Sequence, residues 1–329
     1  DHFRSTVSLY EHLFRVEPQV VAHDLHPDYL STRVAKELEQ QGLRPVPVQH
    51  HHAHIASCMA ENGTLEQVIG VAFDGAGLGT DGTVWGGEFL LCGPGAFERA
   101  GHLKQLPLAG GDAATLQPGR TATGYLIHLF GERTMEGVEA LISGMSAAER
   151  NAIGHQVRTG LNTPATSSMG RLFDAVAALT GGPLNITYEG QAAIELEMQA
   201  HLALRGAATH GYAFDVENVD DRYVVDPAPV LESVLHDIAQ GRPAVEIARA
   251  FHDAVARMTI DVCLRIAGDH GIRTVALSGG VFQNRLLLDL CTAQLKEAGL
   301  SVLLHTELPA NDGCISLGQA VVAAHALHE

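Results

Sequence analysis

Basic residues are scarce in this chain: 21 Lys and Arg stand against 38 Asp and Glu in 329 residues, a formal net charge of −17. No run of basic residues occurs, so no stripe is available to neutralise a phosphate backbone, and a nucleic-acid partner is not expected. No stretch of 18 apolar residues appears and no signal-peptide pattern opens the chain, so neither a membrane span nor secretion is expected. The five cysteines (Cys58, Cys92, Cys263, Cys291 and Cys314) show no CxxC spacing. That argues against a zinc knuckle or a disulfide framework and for a reducing, cytoplasmic setting with mostly buried thiols. With 46% apolar residues, the chain is long enough for one large domain or two packed ones.

Histidine, by contrast, is concentrated. Gln49-His50-His51-His52-Ala53-His54 places four histidines in five positions where an apolar strand gives way to a helix. His50 and His54, four apart, share one helix face and can grip one cation. Imidazole suits first-row transition metals, and two such ligands with a distant carboxylate leave coordination positions open. A histidine-rich surface helix is the plain alternative. A zinc peptidase would need HExxH, and this chain has His51 and Ala53 at the intervening positions that matter.

The pattern along the chain is strongly ordered. Residues 4–16 fit an amphipathic helix, 19–25 a short buried strand, 31–41 a helix capped by Ser31, and 45–48 a strand with edge-type prolines. The histidine cluster then opens a helix ending at Gly63. Val68 to Phe73 reads as a continuous apolar strand running into Asp74-Gly75-Ala76-Gly77, with Val84 to Leu91 as its hairpin partner and a third strand near 98–105. A mostly helical insertion is expected at about 108–240, with polar breaks at 163–168 and 220–226. There follow a helix at about 244–268, a strand at 273–277, a helix after Ser278-Gly279-Gly280, a strand at 301–305 and a last helix capped by Asn311-Asp312-Gly313.

Side by side, the two parts repeat one order. The second reads strand, strand, strand, helix, strand, helix, strand, helix, and the first reads helix, strand, helix, strand, helix. This predicts a duplicated ribonuclease-H-like α/β fold, the actin, sugar-kinase and heat-shock ATPase architecture, divided at 1–66 and 67–329. The first half then lacks its opening strands, and the expectation is that the native polypeptide extends upstream.

In such a fold a nucleotide lies in the cleft between the halves. The glycines after Asp74 free backbone N–H groups to approach phosphate, and an aspartate there holds a metal or orients a group. Ser278-Gly279-Gly280-Val281-Phe282-Gln283-Asn284 lies between a strand and a helix start, a place that favours anions. Pseudo-twofold symmetry brings the starts of the two final helices together, so His50, His54 and Asp312 converge on one metal beside the nucleotide.

Together, Gln49 to Ile55, Phe73-Asp74-Gly75, Ser278 to Asn284, and Asp312-Gly313 through Gly318-Gln319 resemble the carboxy-terminal domain of the HypF family, the carbamoyltransferases of nickel–iron hydrogenase maturation. His26-Pro27-Asp28-Tyr29-Leu30-Ser31-Thr32 and Tyr188-Glu189-Gly190-Gln191-Ala192-Ala193 resemble further motifs of that family, and the likeness runs essentially end to end. The wider superfamily includes tRNA threonylcarbamoyl transferases and antibiotic O-carbamoyltransferases.

The resemblance implies metal ligands His50, His54 and Asp312 for iron or zinc, with magnesium a further option. It implies a phosphate or carbamoyl loop at Asp74, Gly75 and Gly77, with Asp74 also catalytic, and nucleoside contacts at Asp174 and Gly182, after Phe173-Asp174 and Gly181-Gly182-Pro183. It implies nucleotide contacts at Ser278, Gly279, Gly280 and Asn284. His51 and His52 depart from the wider HxxxH pattern while suiting this family, and His51 is the candidate for a catalytic or supporting role. ATP, AMP or carbamoyl adenylate is the implied substrate, and the carboxy-terminal cysteine of HypE the implied acceptor. Upstream acylphosphatase-like, zinc-finger-like and YrdC-like domains are implied on the same polypeptide. Cys314, two residues after Asp312, is expected to be a small buried residue rather than a nucleophile. A tRNA-directed or small-molecule transferase and a noncatalytic docking scaffold are the rival readings.

Overall fold

The structure, a computed structural model, describes residues 2–131, 144–203 and 211–327. The first unit runs α1 (His2–Phe14), β1 (Val20–Asp24), α2 (Leu30–Gln40), β2 (Arg44–Val48) and α3 (His50–Glu61). β1 and β2 pair in parallel, with Val20 opposite Arg44 and Asp24 opposite Val48. The Arg44 N–H donates to the Gln19 carbonyl. Strand alternation therefore puts the missing N–H groups of Pro45 and Pro47 on the outer edge, where no ladder bond is lost. α2 starts one residue before Ser31, and its N-cap is Tyr29, with no side-chain cap bond, so the expected Ser31 cap is not formed. α1 buries none of its residues, and Phe3, Leu9, Tyr10, Leu13 and Phe14 are exposed.

The second unit opens with an antiparallel meander of β3 (Val68–Leu78), β4 (Val84–Cys92) and β5 (Phe97–Leu103). The short β6 (Leu106–Pro107) and β7 (Ala165–Thr166) pair beside it, and α4 (Asp112–Thr115), α5 (Pro118–Phe130), α6 (Ala147–Thr159), α7 (Met169–Leu179) and α8 (Gln191–Leu202) occupy the insertion. The insertion is not helical throughout. β8 (Asp215–Val219) and β9 (Arg222–Asp226) form a hairpin, and β9 pairs in parallel with β5. Its two-residue loop is Asp220-Asp221, both at positive φ (51° and 61°), the conformation a primed turn demands and aspartate tolerates. What reads as a polar break is therefore a turn. Insertion residues 132–143 and 204–210 lie outside the described residues.

The chain continues with α9 (Ala228–Ala239), α10 (Ala244–His270), β10 (Thr274–Ser278), α11 (Arg285–Glu297), β11 (Ser301–Leu303) and α12 (Ile315–His325). β10 pairs in parallel with β3, and β11 with β10. The sheet order is thus β11-β10-β3-β4-β5-β9-β8, the ribonuclease-H-like order extended by the hairpin. The architecture is the duplicated ribonuclease-H-like one.

What positions the site is α3. Ten of its twelve residues are buried, including all four histidines, so this helix is covered all round rather than amphipathic. Ile55, Cys58 and Met59 pack on β3 and β4 through Val68, Ala72, Trp85 and Leu90. Ala53 and Ala56 pack against Val322 and Ala323 of α12 and Val46 and Val48 of β2. Burial of Ile55 and Met59 is worth roughly 1.5–3 kcal/mol each. The approach of α12 is close enough that a Cβ at Gly318 would stand 1.8 Å from the Ala53 carbonyl oxygen.

Candidate functional site

The site assembles where three elements end or begin. α3 presents His50 and His54 one turn apart. Its N-cap is Gln49, whose side chain accepts from the His52 N–H. β3 presents Asp74 from a bulge: its pairing with β4 slips between Phe73, opposite Gly87, and Gly77, opposite Trp85. The extra residues leave the ladder and turn Asp74 toward the histidines. Asp312 stands in the 3₁₀ turn Asp312–Cys314 that leads into α12, behind an Asn311 side chain accepting from the Gly313 N–H.

These four side chains converge. Asp74 Oδ2 is 3.2 Å from His50 Nε2 and 3.7 Å from His54 Nε2. Asp312 Oδ1 is 3.7 and 3.6 Å from the same two nitrogens. All four candidate ligand atoms lie within 4.8 Å of one another. His54 Nε2 is buried and has no hydrogen-bond partner. A buried nitrogen that faces two carboxylate oxygens beyond hydrogen-bond reach is poorly satisfied by the protein alone, and a divalent ion fits the donor set. The set expected from the sequence is His50, His54 and Asp312, and Asp74 joins it as a fourth member.

Each member is held from behind. Asp24, at the end of β1, accepts from His50 Nδ1 at 2.8 Å and from the His26 N–H. Asp74 Oδ1 accepts from the Gly280 N–H at 3.0 Å. Burial alone would lower the His50 pKa, but the hydrogen bonds to Asp24 and Asp74 raise it to about 9. Burial alone would raise that of Asp74, yet His50 and His54 hold it well below the usual carboxylate range. His54 is likewise pushed well up against its own burial by Asp312 and Asp74. Without a cation, these shifts favour protonated imidazoles and ionised carboxylates in the cluster.

Beside it opens a cavity of about 490 Å³, lined by Asp74, Gly75, Asp174, Gly280, Asn284 and Asp312 among others. Arg171 and Asp174 on α7 form one of its walls. Arg171 Nη2 lies 2.9 Å from Asp174 Oδ2 but without hydrogen-bond geometry, so that Asp174 Oδ2 and Arg171 Nε have no hydrogen-bond partner. Burial raises the Asp174 pKa to about 6 despite the opposing Arg171 charge. Asn284 caps α11 by accepting from the Leu287 N–H and donates to His252 Nε2 at 2.8 Å. Burial lowers the His252 pKa to about 4, which keeps that ring neutral and able to accept.

Several residues expected at the nucleotide do not line this cavity. Gly77 is packed under the rings of His51 and His50, where a Cβ would come within 2.7 Å of His51, and it is not part of the cavity wall. Gly182 follows the end of α7, its N–H donating to Ala177. Gly279 (φ +104°) lies so close to the Phe73 carbonyl that a Cβ would stand 2.2 Å from its oxygen, a packing requirement rather than a ligand one. Ser278 is fully buried behind the cluster. His51, the catalytic candidate, contacts Gln49 Nε2 through Nδ1, and its Nε2 is buried without a partner. Burial lowers its pKa well below the ordinary value. It neither reaches Asp74 nor lines the cavity. Asp24 and Arg171 were not singled out from the sequence. A strand-terminal acid 26 positions before His50 and an arginine three before Asp174 give little signal until the fold joins them.

A doubled ribonuclease-H-like frame closing on a His-His-Asp-Asp cluster defines the class. Residues 70–319 match the family described as "Carbamoyltransferase, Kae1-like Domain, second subdomain", and residues 1–61 match "HypF Kae1-like domain". The chain belongs to the HypF family of carbamoyltransferases. It is similar to the carbamoyltransferase HypF homolog of Cupriavidus necator, with 42% identity over 93% of this chain and 78% of that protein. It is also similar to carbamoyltransferase HypF2 of the same organism, with 39% identity over 95% of this chain and 40% of that protein. A crystal structure of full-length HypF, in a phosphate- and nucleotide-bound form, superposes with a TM-score of 0.92 at 42% identity, covering 99% of this chain and 50% of that one. The chain thus spans between about two fifths and four fifths of these three proteins. No helix among the described residues is long and apolar enough to cross a membrane.

Proposed function

We propose that this chain carries out the transfer step of hydrogenase cyanide-ligand synthesis: a carbamoyl group passes from carbamoyl adenylate to the carboxy-terminal cysteine thiol of HypE. The thiolate sulfur forms a bond to the carbamoyl carbon, the bond from that carbon to the adenylate phosphate oxygen breaks, and AMP leaves with its electron pair. The thiol proton goes to solvent. The observation that carries the reading is the unpartnered His54 Nε2 beside three further ligand atoms at the edge of a nucleotide-sized cavity.

His50, His54, Asp74 and Asp312 would hold a divalent iron, zinc or magnesium ion, which would act as a Lewis acid toward the phosphate or carbamoyl oxygen. Two carboxylates formally neutralise such an ion, whereas the three-ligand set expected from the sequence leaves it net positive. The Gly75, Gly280 and Gly313 backbone lets the substrate approach closely, and Arg171 supplies a fixed cation at the wall for an anionic group. Asp174 is placed to accept from a ribose hydroxyl. Holding the adenylate in place accounts for much of the barrier lowering in this type of transfer. The nucleophile comes from the acceptor: all five cysteines of the chain are free and buried. The hydrogen bonds of His305 and His54 lower the Cys314 pKa to about 6 against its burial, but its thiol faces His54 and not the cavity.

The test supplies zinc-loaded chain with carbamoyl phosphate, ATP, an adenylate-forming domain and a peptide ending in cysteine, read by mass spectrometry. Gain of one carbamoyl group on the peptide, lost in His54→Ala, is the expected result. Carbamoylation of a tRNA or a small hydroxylated acceptor in place of the peptide would favour the rival transferase readings. Tight peptide binding without transfer would favour a docking scaffold.

A further inference from the structure

A line of polar side chains runs away from the cluster without entering the cavity wall. Ser278 Oγ lies 2.9 Å from His305 Nε2, and His305 Nδ1 lies 2.8 Å from Glu61 Oε2. On its other side the Ser278 hydroxyl stands 3.4 Å from His54 Nδ1, as does Cys314 Sγ. Ser278, Cys314 and His54 are fully buried, and the His305 and Glu61 side chains are 4% and 6% exposed. The order Ser-His-Glu is that of an activated nucleophile. Here, however, the hydroxyl does not line the cavity, and the group it faces is a ring of the cation cluster.

We propose that Glu61 and His305 are positioning residues which, through Ser278 and Cys314, hold His54 with its proton on Nδ1 and its Nε2 bare toward the cation. With the His305 ring neutral, the direction of each bond follows from Glu61. Its carboxylate also accepts from the Thr306 and Glu307 N–H groups and the Thr306 hydroxyl, and these hydrogen bonds bring its pKa to about 2 against what burial there is. An ionised carboxylate only accepts, so His305 Nδ1 donates to it, and the neutral His305 ring then offers Nε2 as an acceptor. The Ser278 O–H then donates to His305, which leaves the hydroxyl lone pairs for the His54 Nδ1–H. Cys314 Sγ, also 3.4 Å from His54 Nδ1, is a second acceptor for the same N–H. Were the direction reversed, the N–H of His54 would sit on Nε2 and point into the cation site. Asp24 does the same for His50 in one step, so each imidazole is polarised by a carboxylate of its own.

The inference rests on the cation reading of the cluster, and zinc binding to metal-depleted protein separates the two. Wild type should bind zinc and His54→Ala should not; equal binding by both would remove the cation reading and the chain with it. With that established, Glu61→Gln and His305→Gln should weaken zinc binding roughly 10–100-fold, because an amide at either position can donate and lets the chain run backwards. The thermal midpoint of the metal-free protein should be unchanged in His305→Gln. Removing both acceptors in the Ser278→Ala/Cys314→Ala double variant should weaken zinc to a similar degree. Adding His305→Gln to that double variant should cost nothing further, since the residues act in series. Wild-type zinc affinity in His305→Gln, or an additive loss in the triple variant, overturns the proposal. If Glu61→Gln fails to fold because Glu61 also anchors Thr306 and Glu307, the His305 series decides alone.

Discussion

Asp24 accepts a 2.8 Å hydrogen bond from Nδ1 of His50 across 26 positions of sequence, so the nitrogen that His50 turns to Asp74 is Nε2. Both partners are buried. Asp24→Asn keeps the shape but lets the ring choose its tautomer. Zinc or iron affinity should then fall by roughly 10–100-fold, measured by competition with a chromophoric chelator. An unchanged affinity would show that His50 needs no orienting partner.

Elemental analysis gives the most direct check of the cluster. Chelator-free protein should carry about one equivalent of divalent metal per chain, and His54→Ala should carry almost none. Because His50 stays protonated up to about 9 in the empty cluster, metal uptake should release protons and tighten as pH rises. Retention of metal by the alanine variant would move the site elsewhere.

The pH dependence of stability should carry the signature of Asp174. Its folded pKa is raised to about 6 by burial, so between the unfolded value near 4 and about 6 the native state binds the extra proton. The sign follows: this contribution is fully present below about 4 and is lost as pH climbs to about 6. Asp174→Asn should remove that decline and stabilise the protein at neutral pH by roughly 1–3 kcal/mol. The same variant should weaken adenine-nucleotide binding, read by calorimetry. A stability profile that falls equally in the wild type and the variant would mean another group is responsible.

Gly318→Ala tests the contact between the two final helices. A methyl there meets the Ala53 backbone at once, so the helices must part, costing roughly 1–3 kcal/mol or more. Since α3 carries His50 and His54 and the turn before α12 carries Asp312, zinc affinity should drop along with the thermal midpoint. Intact metal binding at normal stability would mean the helices adjust without moving the cluster.

How far the sequence discloses this site depends on the range of the signal. His50 and His54 are legible because one helical turn is a local rule, and Asp312 because the repeated element order places two helix starts together. The resemblance of the motifs adds the family. Asp74 is legible as a strand-end acid, but its membership of the cluster depends on a bulge that hides in the unbroken run Phe73-Asp74-Gly75-Ala76-Gly77. Gly77, Gly279 and Ser278 look like phosphate-loop residues by composition, and two of the three are small because rings or carbonyls press on them. The Asp215–Asp226 hairpin reads as a polar gap, since two aspartates at positive φ mimic a loop. Asp24, His305 and Glu61 act through partners that are remote in sequence, and no local pattern marks them.

The near-contact of Gly318 with Ala53 has a mechanical consequence. With no side chain between them, the two backbones act as a spacer of minimal thickness: the helices cannot come nearer, and any bulk added at position 318 is passed straight to α3. The residues that line the cavity all follow position 66, whereas His50 and His54 stand on α3. A shift of α3 against α12 would therefore move the two imidazoles relative to Asp74 and Asp312 and leave the cavity walls where they are. The gauge of that one contact sets the grip on the ion and not the room for the larger ligand.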